Sequence, residues 1–206
     1  MFKAQNPHSS KVRFLVLSEA LIAGPPSSKS IWTPALKAFL VVIGSLLLAT
    51  SAQFKIPLYP VPVTGQTLVV LLIGMAYGPL LGGVTIAAYL LQGVIGLPVF
   101  AGGTFGIATL LGPTGGYLGG FLIAAVVMGF LAERGMGRGI MSTIIAMMIG
   151  NVVIYIAGAS WLASFTGAEK ALTAGVFPFL YGDVLKLAVA AGLMPMAWRF
   201  VAKLQK

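Results

Sequence analysis

Asp183 and Lys186 stand three residues apart in an otherwise apolar stretch and are the side chains best suited to do chemistry. At this spacing they share one helix face. A charge at hydrocarbon depth is expensive and marks a functional site by default. Lys186 could hold a carboxylate, and Asp183 could accept hydrogen bonds from ligand N–H groups. The competing reading is a structural ion pair that neutralises itself. Several chemistries are excluded. There is no Cys, and the single His, His8, lies in the polar N-terminal tail, which leaves no thiolate site and little room for Ser-His or zinc catalysis. No Gly-x-x-x-x-Gly-Lys-Ser/Thr phosphate loop is present, and neither a second intramembrane carboxylate nor a metal-binding cluster can be picked out. The chain offers a pocket without an engine: no enzyme, no metal and no cofactor is expected.

The elements that must position this pair are membrane helices. Of 206 residues, 58% are hydrophobic and 8% are charged, with a mean hydropathy of +1.00. Globular domains carry roughly 25% charged residues to keep their surface wet. Lipid must therefore cover most of this chain. Its net charge of +9 comes from basic residues flanking apolar segments, which fits membrane orientation better than nucleic-acid binding.

Six apolar segments follow residue 33, at about 35–53, 66–78, 80–97, 116–132, 140–163 and 183–201. The second is too short to cross a bilayer upright, which takes about 20 residues, so it should lean on protein. The chain thus divides into a cytoplasmic N-terminal extension, 1–33, and a six-helix membrane domain, 34–206. The run from Phe14 to Ala23 reads as a short surface helix, followed by a Gly-Pro-Pro linker at 24–26. With six spans, Lys3, Lys11, Arg13, Lys29, Lys37, Arg134, Arg138, Arg199, Lys203 and Lys206 share one side, against Lys55 and Lys170 on the other. That bias places both termini in the cytoplasm. Trp32, Trp198 and Trp161 then fall near the interfaces, as an aromatic belt.

The three outer connections are long, almost uncharged and rich in Pro, Gly and aromatics: KIPLYPVPVTGQT (55–67), LPVFAGGTFGIATLLGPTGGY (97–117) and TGAEKALTAGVFPFLYGD (166–183). Rigid Pro and tight Gly turns suit folded lids over a cavity better than flexible tethers. Re-entrant packing with no ligand is the alternative. Gly116 and Gly120, four apart, read as a close-packing face. Ser45 and Ala49 on the first helix serve equally for internal packing or for docking another membrane protein.

The strings IPLYPVPVTGQTL (56–68), GLPVFAGG (96–103), GPTGGYLGGF (112–121) and PFLYGDVLK (178–186) resemble the signature segments of the BioY family, the biotin-capturing S components of energy-coupling-factor (ECF) transporters. The resemblance runs from about residue 36 to 200. It implies an all-α, ECF S-component-like fold with six transmembrane helices, a biotin pocket near the outer face closed by the first and third loops, and a location in the cell membrane. It further implies a complex with a membrane coupling protein and two ATPase subunits. Asp183 and Lys186 correspond to the family's biotin-contacting pair. Gln66, Tyr117 and Phe100 become further pocket candidates, and Gln92 and Asn151 either bind or glue helices. Ser45 and Ala49 become candidates for the coupling-protein interface. The alternatives are an S component for another small vitamin and an ATP-independent facilitator.

Overall fold

The structure, a computed structural model, describes residues 3–4, 13–22 and 33–204. In chain order the elements are β1 (Lys3–Ala4), β2 (Arg13–Phe14), α1 (Leu17–Ile22), α2 (Pro34–Gln53), β3 (Lys55–Ile56), β4 (Val63–Thr64), α3 (Gln66–Val94), a 3-10 turn (Ala101–Gly103), α4 (Ile107–Leu111), α5 (Gly115–Glu133), α6 (Ile140–Thr166), α7 (Ala168–Gly175) and α8 (Phe177–Leu204). β1 pairs antiparallel with β2, and β3 with β4. Five stretches among the described residues are long and apolar enough to cross a membrane: α2, α3, α5, α6 and the α7–α8 pair.

Local sequence explains the ends of these helices. The Thr33 hydroxyl accepts from the Leu36 N–H at 3.2 Å, with Pro34 in the first turn, so α2 starts there. It stops before the Pro-rich run 57–62, where β3 and β4 fold the first connection into a short hairpin. At the other end of the chain, α7 and α8 are separated only by Val176.

The second and third apolar segments form the single element α3, but its backbone leaves the helix at Gly78 (φ 81°, ψ 177°), just before Pro79. A positive φ suits Gly, and Pro79 has no N–H to continue the ladder. The chain turns back on itself here. Gln66 Nε2 lies 2.7 Å from the Tyr89 hydroxyl, 23 residues on, whereas a straight helix would hold them about 35 Å apart. A Cβ on Gly82 would sit 3.2 Å from Gly74 Cα, and one on Gly129 of α5 only 2.1 Å from Pro79 N. The first half of α3 is buried at Val70, Leu71, Ile73 and Met75, as its short length predicts. Helices α5 and α6 meet through Gly116 and Gly120, whose added Cβ atoms would press on Trp161, Ala157 and Ile154. That is the internal packing expected of this pair.

Three expectations need correction. The third outer connection is helical, not a loop: Pro178 lies in the first turn of α8, where a missing N–H does no harm. Asp183 and Lys186 therefore sit inside α8 rather than at its start. Helix α1 does not lie free on the surface: Leu17, Ser18 and Ala20, with Val16 just before it, are buried, and Leu21 is exposed. Trp198 is not a belt residue either. It is buried with the Arg138 guanidinium 4.3 Å from its ring centroid, while that same cation lies 4.9 Å from the Phe14 ring and donates to the Leu15 carbonyl at 2.9 Å. Burial lowers the Arg138 pKa from its ordinary value. These contacts gather residues 14–15, the α5–α6 turn and the end of α8 at one end of the bundle. Trp161 is half-exposed and donates to the Gly112 carbonyl at 2.9 Å. Trp32, the 24–26 linker, His8, Lys29 and Lys206 lie outside the described residues.

The glycine contacts make a direct prediction. Gly129→Leu must push α5 off the Gly78–Pro79 bend and should cost about 1–3 kcal/mol or more. Gly119→Leu, on an exposed part of α5 with nothing within 4 Å, should be tolerated. Thermal unfolding of the two purified variants in detergent checks this; equal melting temperatures would contradict the packing.

Candidate functional site

At the end of the bundle opposite Arg138, the first hairpin, the second connection and the adjoining ends of α3, α5, α6 and α8 line a cavity of about 260 Å³. Its wall is mainly apolar and aromatic (Val61, Phe100, Leu118, Phe121, Ile154, Phe179), with a few polar groups from Thr64, Gln66, Thr67, Tyr117 and Tyr155 among others. Apolar walls with sparse, convergent polar atoms are the usual form of a small-molecule site.

Asp183 and Lys186 do not line this space directly; they stand behind its wall. Lys186 Nζ lies 3.3 Å from Asp183 Oδ1 and donates to Thr67 Oγ1 at 2.8 Å. The other carboxylate oxygen, Oδ2, accepts from the Tyr155 hydroxyl. The side chains of Lys186 and Asp183 are only 13% and 6% exposed. Thr67 and Tyr155 both line the cavity, so the pair reaches it through these two hydroxyls. Neither was expected from the sequence. A Tyr in an apolar helix and a Thr after Gln carry no signal of their own, and only the fold brings Thr67 within reach of a lysine 119 positions away.

Three further predicted residues reach the site. Gln66 is buried in the wall, with its amide oxygen accepting from the Thr64 hydroxyl at 3.0 Å and its amide nitrogen donating to the Tyr89 hydroxyl at 2.7 Å. Phe100 is buried edge-on to Tyr89, with centroids 5.5 Å apart, and lies over Gly93, where a Cβ would come within 2.0 Å of its ring. Tyr117 stacks on Phe179 at 6.0 Å and donates to the Gly175 carbonyl at 2.7 Å. Gly158 opens the slot for its ring, since a Cβ there would lie 2.2 Å from it. Phe179 in turn packs edge-on against Tyr155.

The other predicted residues do not reach the cavity. Gln92 donates to Ser45 Oγ at 3.0 Å, so both serve to bind α2 to the second half of α3. Ser45 is fully buried and is not presented to a docking partner. Ala49 is half-buried and packs against the core. The large apolar side chains of α2 that face outward are Phe39, Val42, Ile43, Leu46 and Leu47. Asn151 is buried one turn below Tyr155 on α6, outside the cavity wall.

A membrane-embedded helical bundle with an apolar-walled cavity, backed by a buried ion pair, defines a protein that captures a small polar-headed molecule. Comparison with known proteins makes this specific. The model of the BioY family matches residues 26–203, and the chain belongs to that family. It is similar to the biotin transporter BioY of Thermotoga maritima, 39% identical over 150 residues that cover 72% of this chain and 88% of that protein. It is also similar to the biotin transporter BioY of Rhizobium etli, 37% identical over 174 residues that cover 80% and 90%. Its fold matches the crystal structure of the S-component for biotin from an ECF-type ABC transporter, with a TM-score of 0.74 at 23% identity over 84% of this chain and 95% of that one. The fold is thus that of an ECF S component.

The ion pair makes its own prediction. Asp183→Leu strands a buried ammonium and should destabilise the protein by about 3–5 kcal/mol, whereas Asp183→Leu with Lys186→Met should recover most of that loss. Thermal unfolding in detergent measures both. A double variant no more stable than the single one would contradict the pairing.

Proposed function

We propose that this chain is the biotin-capturing S component of an ECF importer in the cell membrane. The observation that carries the reading is the acceptor–donor pair behind the cavity, in a chain of the BioY family whose relatives bear the name biotin transporter. The two halves of α3 count as separate passes, giving six, with the cavity near the outer face and both termini in the cytoplasm. The positive bias of the loops supports this orientation. Energy comes from outside the chain, because the sequence carries no phosphate loop: a membrane coupling protein and two ATPase subunits supply it. The chain itself binds and does not catalyse.

The geometry narrows the roles of the pair. Charges 3.3 Å apart cannot grip the two opposite ends of biotin at once, so Asp183 and Lys186 act together on one end. An adjacent acceptor and donor complement the neighbouring N–H and C=O groups of the ureido ring. Thr67 and Tyr155 orient them, and Phe100, Phe179 and Tyr117 cover the apolar ring and chain. Threonine hydroxyls and Gln66 remain for the rest of the ligand.

Equilibrium calorimetry on the purified protein, without coupling subunits, tests the proposal. Saturable one-to-one biotin binding is expected, and Lys186→Ala should weaken it tenfold or more by removing about 1.5–3 kcal/mol of charge-assisted hydrogen bonding. No binding by folded, ligand-free protein, or an unchanged affinity in folded Lys186→Ala, would overturn the assignment.

A further inference from the structure

We infer that Tyr89, a fully buried residue outside the cavity, is a positioning residue that fixes Gln66 as a hydrogen-bond donor toward a ligand oxygen. The inference rests on the biotin reading above and goes beyond it, since that reading says nothing of Tyr89 or of which way the Gln66 amide faces. The Tyr89 hydroxyl lies 3.0 Å from the Val99 carbonyl oxygen and 2.7 Å from the Gln66 amide. A carbonyl only accepts, so the single tyrosine proton is committed to Val99. The hydroxyl must then accept from Gln66, which puts the amide nitrogen, not the oxygen, on the Tyr89 side.

The other end of the amide is fixed in the same way. Thr64 Oγ1 accepts from the Gln66 backbone N–H at 3.3 Å and donates its own proton to the Gln66 amide oxygen at 3.0 Å. One amide N–H is engaged by Tyr89, and the carbonyl side is engaged by Thr64. Gln66 is 3% exposed and lines the cavity. What it has left for a ligand is its second N–H and, on the Thr64 side, one lone pair of the amide oxygen; only the N–H is a donor. This donor suits an oxygen acceptor, and biotin has two, the ureido oxygen and the carboxylate.

Tyr89 also ties this donor to the second connection. It bonds to the backbone of Val99, next to Phe100, whose carbonyl accepts from Gln53 at 3.3 Å and whose ring packs against Tyr89. Thr64, Gln66, Tyr89 and Val99 thus form one directed chain of hydrogen bonds from the first connection to the second. In Tyr89→Phe the amide loses its fixed partner and can turn to present its oxygen. In Gln66→Glu the carboxylate has no N–H, so no donor remains for a ligand.

The test measures binding of three compounds to the intact purified protein: biotin, 2-iminobiotin, in which a protonated nitrogen replaces the ureido oxygen, and norbiotinamine, in which an ammonium replaces the carboxylate. In each analogue one acceptor has become a donor. Wild-type protein should prefer biotin over both. Tyr89→Phe and Gln66→Glu should each narrow that preference about tenfold, the change expected for one hydrogen bond, and for the same one of the two analogues. That analogue identifies the oxygen that Gln66 reads. A merely structural role for Tyr89 would weaken all three compounds alike. Unchanged preferences in folded Tyr89→Phe overturn its positioning role. Should that variant not fold, unchanged preferences in Gln66→Glu overturn the donor assignment. Wild-type protein that binds no biotin would instead count against the biotin reading itself.

Discussion

The arrangement of this protein depends on keeping one ion pair in a medium that disfavours charge. Lys186 and Asp183 neutralise each other at 3.3 Å, and Thr67 and Tyr155 engage the remaining groups. Removing either charge would strand the other in apolar surroundings. The pair therefore requires α3, α6 and α8 to converge at this level, because each contributes a member of the network. It also explains why, at this point, the cavity wall shows Thr67 and Tyr155 instead of two bare charges. A ligand that enters meets Thr67 and Tyr155 first, and contact with Asp183 and Lys186 requires these hydroxyls to give way.

Convergence of that kind needs close helices, and glycine supplies the closeness. The Gly78 bend reverses α3 so that its short first half can be buried by its second half and by α5. Without the reversal, Gln66 and Tyr89 could not meet. Gly158 and Gly93 act differently, as slots that seat the Tyr117 and Phe100 rings against the cavity. In lipid, where apolar side chains gain little from leaving their surroundings, such shape complementarity carries much of the packing energy.

The sequence made some of this visible and hid the rest, for physical reasons. Asp183 and Lys186 stood out because charges are rare in apolar runs, and their spacing was that of a helix face. Gln66, Phe100 and Tyr117 were reached through motifs, and all three lie on the cavity wall. Tyr155, Thr67 and Tyr89 were hidden because their residue types are unremarkable in a membrane helix; only proximity gives them a role. Gly-Pro at 78–79 marked a boundary correctly, yet local sequence could not say that the chain folds back there. The opposite holds at 166–183, which reads as a loop although it is almost wholly helical: Gly175 ends α7 and Pro178 lies in the first turn of α8. Ser45 looked equally suited to docking and to packing until its bond with Gln92 was seen.

The central claim is that the buried pair reads one end of biotin. An experimental structure of the protein with biotin bound, with the ligand placed in density, tests it most directly. The expected result is the ureido ring in the cavity beside Thr67 and Tyr155, with Asp183 and Lys186 within hydrogen-bond reach of the same end of the ligand. Biotin bound with its ring and carboxylate both remote from Asp183 and Lys186, and the ion pair unchanged behind an intact wall, would contradict it.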